Sequence, residues 1–364
     1  MSDPLGVAVI GYGYWSPKLI RNIIADPGFK LVAICEKDSS RHERIRGENP
    51  GAEVVQEYKE LFARADIQAV IIATIPSSHF RIAKQALENG RHVLVEKPLT
   101  LDPIEAELLV RIAKEHKLTL MIDHTYLYAP AIRALREQVR SGTLGTIYSL
   151  ESTRVNLGLF QRDTNVVWDL APHDVSILLS LFDERPAYVS VVGSKTVVHP
   201  KQERAQASVA HIMLFYSTFV AHIDVSWISP VKIRQITVIG SERTALYDQL
   251  APDQLTIMDQ GVYPKQDGGE SGPLFEYKTG ESRTVELSQG GEDLASMLAD
   301  FQSSVRTGAV PVSSATLGLD VVRILSAADR SLRSQGKKIS IDFRSANRFM
   351  HAIRERYIRM RHSY

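Results

Sequence analysis

The chain has 364 residues, 44% of them apolar and 23% charged; this is the composition of two or three globular domains and excludes both a disordered chain and a disulfide-stapled miniprotein. With 43 Lys and Arg against 42 Asp and Glu, no global field steers it onto nucleic acid or anionic lipid, and neither is an expected partner. The single cysteine, Cys35, excludes an intramolecular disulfide, no apolar run approaches the ~18 residues of a membrane span, and Met1-Ser2-Asp3-Pro4 leads into apolar Val7-Ala8-Val9-Ile10 without signal-peptide features, so the cytoplasm is the expected location.

From Leu5 to about Asp123, short β-branched runs alternate with helix-period segments, the βαβ pattern of a parallel sheet covered on both faces. Strands are expected at Leu5–Ile10, Leu31–Cys35, Val54–Val55, Ala69–Ala73, His92–Val95 and Thr119–Ile122, and helices at Pro17–Ala25, Phe80–Glu88 and Pro103–Glu115. Asp102 is placed to cap the last of these, with Pro103 at its first position. Beyond Thr125 come helices near Ala131–Arg140 and Pro172–Phe182. Longer alternating strands follow at Ile147–Asn156, Tyr188–Val198, Ser208–Phe215, Thr218–Trp227 and Arg234–Ile239, and further helices at Asp293–Arg306 and Leu317–Arg333. The second half therefore reads as an α+β domain on an open, mostly antiparallel sheet. The Gly-, Pro- and charge-rich stretch from Gly261 to Glu281 reads as an exposed excursion between strands. The expected division is 1–124, 125–343 and a tail, 344–364, with six arginines against one acid. In that tail Phe349, Ile353, Tyr357 and Met360 form a helical apolar stripe expected to pack on the body or a neighbouring subunit.

The first strand runs into Gly11-Tyr12-Gly13-Tyr14-Trp15-Ser16 and a helix, the context of a dinucleotide-binding turn. Gly11 permits the bend, Gly13 lets backbone approach a pyrophosphate, and Ser16 stands where a third small residue is needed and is placed to cap the helix opened by Pro17. Glu36 follows the second strand, 20 residues beyond Ser16. An acid there accepts bonds from the adenosine ribose hydroxyls and repels a 2′-phosphate, favouring NAD over NADP, although Lys37 and Arg41 lie close enough to blur the preference. Lys97, after Glu96 at the end of the fifth strand, sits where open α/β sheets hold their ligands. A lysine there can hydrogen-bond a substrate hydroxyl or relay its proton.

Four segments, Gly-Tyr-Gly-Tyr-Trp-Ser-Pro (11–17), Ile-Ile-Ala-Thr-Ile-Pro-Ser-Ser-His (71–79), His-Val-Leu-Val-Glu-Lys-Pro-Leu (92–99) and Trp-Asp-Leu-Ala-Pro-His-Asp (168–174), resemble in kind and order the Gfo/Idh/MocA oxidoreductases. That family includes glucose–fructose oxidoreductase, inositol dehydrogenase and nucleotide-sugar dehydrogenases, and the likeness is strongest to the branch acting on UDP-linked amino sugars and their uronates. It implies a Rossmann domain and a second domain whose sheet makes homodimer or homotetramer contacts. It also implies Lys97, Asp169 and His173 at the substrate, with Tyr14, Trp15, Thr74, Pro76, His79 and Glu96 along the cofactor. Two departures stand out: Ser16 replaces the usual Gly or Ala, and Pro76-Ser77 replaces the usual Pro-Asn.

Pro172 is expected near the start of a helix beginning between Asp169 and Ala171, which sets Asp169 and His173 about one turn apart. A histidine there can take a hydroxyl proton as the carbon gives up hydride, while the carboxylate fixes its tautomer. His124, Arg154, Asn156, Asn165 and Trp168 are the substrate-side candidates. Competing readings are a hydrolase that oxidises its sugar transiently on tightly held NAD, separated by its lack of net NADH, and a non-catalytic sensor, which would be expected to lack Lys97 or His173. No His-Glu-x-x-His or clustered Cys/His spacing supports a metal centre, and no metal is expected.

Overall fold

A computed structural model describes residues 3–161, 164–195, 197, 206–264, 275–287 and 291–344. The first sheet holds β1 (Leu5–Ile10), β2 (Phe29–Cys35), β3 (Glu53–Val55), β4 (Ala69–Ile72), β5 (His92–Glu96) and β6 (Leu120–Asp123). All pair in parallel, in the order β3-β2-β1-β4-β5-β6. Helices α1 (Ser16–Ala25), α2 (His42–Glu48), α3 (Pro76–Glu88) and α4 (Pro103–Glu115) connect them. Because helices cover both faces, β1 and β4 are buried along their whole length. The strand order reverses between β1 and β4, which opens a crevice beyond their carboxyl ends. At α4 the expected cap is present: Asp102 Oδ1 accepts from Ile104 N at 2.8 Å.

The second domain runs α5 (Pro130–Arg140), β7 (Ile147–Leu157), α6 (Val166–Leu181), β8 (Tyr188–Ser194), β9 (Val209–Phe215), β10 (Val220–Ser226), β11 (Ile228–Gly240), β12 (Thr244–Asp248), β13 (Leu255–Pro264), β14 (Phe275–Thr284), α7 (Asp293–Thr307), α8 (Ala315–Arg333) and β15 (Ile339–Ser340). The sheet order is β14-β13-β12-β11-β7-β10-β9-β8-β15, antiparallel throughout except for the parallel β7–β10 pair at its centre. Alternation sets the two faces: on β10, Ala221, Ile223 and Val225 are buried under the helices while His222 and Asp224 face outward. The chain then returns to the first domain. Ser313 Oγ donates to the Ile122 carbonyl at 2.6 Å, and α8 packs so closely on β6 that a Cβ on Gly318 would lie 2.6 Å from the Ile122 side chain. This clasp fixes the end of β6 relative to the second sheet.

Three expectations are corrected. α6 begins at Val166 rather than at 169–171, because Asn165 caps it, its Oδ1 accepting from Val167 N at 3.0 Å and Trp168 N at 3.3 Å. Pro172 consequently lies inside the helix. The Gly261–Glu281 excursion is flanked by paired strands, β13 reaching Pro264 and β14 resuming at Phe275; its Gly-rich centre lies outside the described residues, as do the stripe residues Phe349, Ile353, Tyr357 and Met360 of the tail and the end of the Tyr188–Val198 strand. Ser16 is the first helical residue of α1, with Trp15 in the cap position and no side-chain cap. The serine hydroxyl is committed to the glycine loop instead.

Candidate active site

A cleft of about 1490 Å³ opens between the carboxyl ends of the first sheet and the inner face of the second. One wall is the loop after β1. Gly11 holds φ +95°, and a Cβ there would lie 2.6 Å from the Ala73 carbonyl oxygen, so only glycine fits this bend. Ser16 Oγ accepts from Gly13 N at 3.1 Å and donates to the Gly11 carbonyl at 2.9 Å, closing the loop into a cradle. At Gly13 a Cβ would meet only the Ala73 oxygen at 3.9 Å, leaving the open side free for a pyrophosphate at the start of α1. Tyr14 and Trp15 line this wall, and Lys18 Nζ lies 4.7 Å from the Trp15 ring centroid. Glu36, at the end of β2, accepts from Tyr12 N at 3.1 Å and Asp38 N at 3.0 Å, and pairs with Arg41 at 3.0 Å. These residues fit a dinucleotide whose ribose meets a carboxylate.

The cleft floor joins the two domains. Pro172 has no N–H for the Trp168 carbonyl four residues back, which loosens the first turns of α6. The neighbouring Asp169 carbonyl accepts from Lys97 Nζ at 2.7 Å, and Asp169 Oδ1 does so at 3.1 Å. The other carboxylate oxygen, Oδ2, accepts from Trp227 Nε1 at 2.9 Å. Asp169 therefore anchors the lysine rather than orienting His173, correcting the expected pairing; two of the three ammonium protons are engaged and one is left for a substrate oxygen. His173 lines the same cleft, edge-on to Tyr126 at 4.9 Å between ring centroids, with its Nδ1 buried and unpartnered. Burial first, and the nearby Lys97 charge second, hold its pKa well below the ordinary histidine value, so it is neutral and able to accept a proton.

At the head of the crevice Glu96 and Asp123 face each other across the β5–β6 pair. Burial and the Asp123 charge hold the Glu96 carboxyl well above the usual carboxylate range, and it keeps its proton. Asp123 Oδ2 in turn accepts from Trp15 Nε1 at 2.9 Å, tying the glycine loop to β6.

Glu96, Thr74, Pro76, Asn156 and Trp168 also line the cleft. Four other candidates serve as its support. His79 is buried, its ring nitrogens bonded to the Pro98 and Thr74 carbonyls at 2.8 and 3.1 Å, so it braces the Lys97-Pro98 segment. Arg154 is 3% exposed and gripped by Asp174 of α6, Nε to Oδ2 at 2.7 Å and Nη2 to Oδ1 at 3.1 Å, which seals it away from the cleft. Asn165 is spent on its cap and on Asp329. His124 is buried beneath the floor with both ring nitrogens unpartnered, its pKa pushed down to about 3 by burial and then by the Lys97 charge. Cys35 keeps its proton, burial pushing its thiol up to about 12. Tyr126, Trp227, Lys232 and Arg234 were not foreseen. Tyr126 and Trp227 are aromatic residues whose sequence patterns mark burial alone; the β7–β11 register sets Arg234 opposite Arg154, and Lys232 lies in the register shift between Ile228 and Ile233. Among the described residues, His211, His222 and Asp224 stand at metal-ligand spacing, but on the outer face of the second sheet, and none lines the cleft. No helix is long and apolar enough to cross a membrane among the described residues.

Comparison with known proteins agrees with this architecture. Residues 5–124 match the family model described as "Oxidoreductase family, NAD-binding Rossmann fold", and residues 132–246 match the GFO/IDH/MocA C-terminal domain. A crystal structure of a Magnetospirillum magnetotacticum MS-1 protein superposes with a TM-score of 0.73 at 30% identity, covering 89% of this chain and 99% of that one. The UDP-N-acetylglucosamine 3-dehydrogenase of Acidithiobacillus ferrooxidans is 34% identical over 189 residues, 51% of this chain and 57% of that protein. The scyllo-inositol 2-dehydrogenase (NADP(+)) IolW of Bacillus subtilis is 22% identical over 92% of this chain and 95% of that protein. The chain spans about half the length of the first curated relatives it matches. It belongs to the Gfo/Idh/MocA oxidoreductase family.

Proposed function

We propose that the protein is an NAD-dependent dehydrogenase or reductase acting on a secondary hydroxyl or ketone of a sugar, cyclitol or nucleotide sugar. The observation that carries this reading is the Lys97 ammonium held by Asp169 beside a neutral, cleft-lining His173, in the same cleft as the glycine loop. When bound, the nicotinamide would accept or return the hydride. Lys97 keeps its protons and donates a hydrogen bond from its remaining N–H to the substrate oxygen, drawing the hydroxyl towards the site and stabilising charge on that oxygen as the carbon is oxidised. His173 takes the hydroxyl proton, and its lack of charge beforehand is what makes it a base. Trp227 keeps Asp169 from turning away, so the lysine stays in place between turnovers. The UDP-N-acetylglucosamine 3-dehydrogenase among the relatives supports a nucleotide sugar, and the inositol dehydrogenase supports a cyclitol.

The test is a panel of sugars, inositols and UDP-sugars followed by NADH absorbance at 340 nm; the absence of net NADH with every member would overturn the reading. Glu36 supports NAD over NADP. Replacing it with Ala should shift the NAD-to-NADP affinity ratio towards NADP by roughly tenfold, the scale of one charged interaction, because Arg41 is then released to meet a 2′-phosphate. An unchanged ratio in a titration of both cofactors would refute the role given to Glu36. The homo-oligomer implied by the resemblance would use the uncovered face of the second sheet, where Tyr188, Val192 and Met213 are exposed; sedimentation of the full chain checks this.

A further inference from the structure

Arg234 carries a charge that its surroundings leave unanswered. It stands directly opposite Arg154 in the β11–β7 pair, a like-charge juxtaposition that destabilises a sheet unless compensated. Arg154 is compensated by the two oxygens of Asp174. Arg234 is held by neutral groups: Nη1 donates to the Tyr126 hydroxyl at 3.0 Å and to Gln249 Oε1 at 3.3 Å, while Nε is shielded from solvent and has no partner. Among the described residues no carboxylate pairs with it. Lys232, two residues earlier on β11, lines the cleft with it and likewise has no ion pair.

Two acids of the same cleft are taken elsewhere. Asp169 is taken by Lys97 and Trp227, and Glu292 by Arg21 at 2.6 Å. Asp293 has its carboxyl raised by burial, which the Arg133 charge only partly opposes. Among the described residues, Arg234 and the exposed Lys232 thus line the cleft without an ion pair. The Tyr126 and Gln249 oxygens hold Nη1, while Nη2 has no partner among the described residues and is the donor left for an anionic ligand.

We propose that Arg234, with Lys232, binds an anionic group on the substrate, a carboxylate or phosphate carried by the sugar. Tyr126 sets the distance: its ring meets His173 edge-on and its hydroxyl meets Arg234, so the anion lies about one tyrosine away from the proton acceptor, within the span of a substituted sugar. The phosphates of a dinucleotide belong to the glycine loop of the other domain. A neutral cyclitol would leave both cations unmatched, which selects against it.

This inference rests on the dehydrogenase reading only for the identity of the ligand as a sugar, and binding can be read without turnover. Calorimetry on the NADH-saturated protein, where no oxidation proceeds, compares N-acetylglucosamine with its 1-phosphate and its UDP derivative, and glucose with glucuronate. At least one anionic sugar should bind roughly 10- to 100-fold more tightly than its neutral parent, the scale of a charge-assisted pair. Arg234→Gln should abolish that advantage, Lys232→Gln should reduce it, and Arg234→Lys should restore part of it, all with NADH affinity unchanged as evidence of a folded protein. The glucuronate and phosphate arms identify which anion is read. Equal affinity for neutral and anionic sugars, no binding by any anionic sugar, or an undiminished advantage in Arg234→Gln overturns the proposal. An anionic sugar held through Arg234 that yields no NADH when NAD is supplied overturns the dehydrogenase reading alone.

Discussion

Lys97 and His173 divide the chemistry between an ammonium that holds the substrate oxygen and an imidazole that removes its proton, and losing either should fall on turnover. Lys97→Ala and His173→Ala should each lower kcat by about 10²–10⁴ while NAD affinity stays near that of the parent, as measured by single-turnover kinetics and cofactor titration. Full activity of His173→Ala would refute the role of His173 as the proton acceptor. The buried ionisable groups also shape stability against pH. His124 and His173 are held uncharged in the fold but titrate near 6.5 when unfolded, so below about pH 6.5 the unfolded chain binds protons the native state refuses, and stability falls as the solution is acidified. Glu96 acts in the opposite sense. It keeps a proton in the fold that it sheds above about pH 4.5 when unfolded, so it lowers stability as pH rises. Urea unfolding at several pH values checks both slopes: His124→Gln should weaken the loss of stability on acidification, and Glu96→Gln should remove the loss that Glu96 adds as pH rises above about 4.5.

Helix α6 illustrates how an element can be recognised and its details missed. Its apolar run was legible, but Pro172 suggested a start that Asn165, capping three residues before Trp168, overrides. The helix is fastened to β7 through Asp174, which takes Arg154 and also accepts from Ser152 Oγ at 2.9 Å. Removing one member of a buried pair strands the other charge, so Asp174→Ala should cost about 3–5 kcal/mol and lower the melting temperature. Arg154→Met combined with Asp174→Leu should recover much of that loss, since no lone charge remains. If Asp174→Ala melted like the parent, the pair would not be the fastening of α6. The β13–β14 strands were read as an excursion for a different reason: their short alternation gives little local signal, and pairing with β12 is what gives β13 its place.

For the molecule as a whole, the site depends on two domains held in one arrangement by the clasp of Ser313 on Ile122 and by Lys97 on Asp169. A cofactor seated across this crevice binds only the folded state. At NAD concentrations 100 times its Kd, unfolding should cost about 2.7 kcal/mol more than in its absence, a shift that scanning calorimetry would register and that Gly13→Val, by filling the cradle, should abolish. An NAD-independent melting curve for the parent would argue against the glycine loop as the cofactor site.

The sequence alone determined the features set by neighbouring residues. These are the βαβ rhythm, the glycine bend after β1, the Asp102 cap of α4, and the presence of Lys97 at a strand end, because hydrophobic period, caps and tight turns act over a few positions. Only the tertiary structure decided that Asp169 holds Lys97 rather than His173, that Arg154 is sealed beneath α6 while Arg234 reaches the cleft, and that Glu96 meets Asp123. Each of those outcomes depends on which segments pack over a given position, Arg154 and Arg234 standing opposite each other on one face with only Arg154 sealed by Asp174 of α6, and this is settled only when distant segments come together.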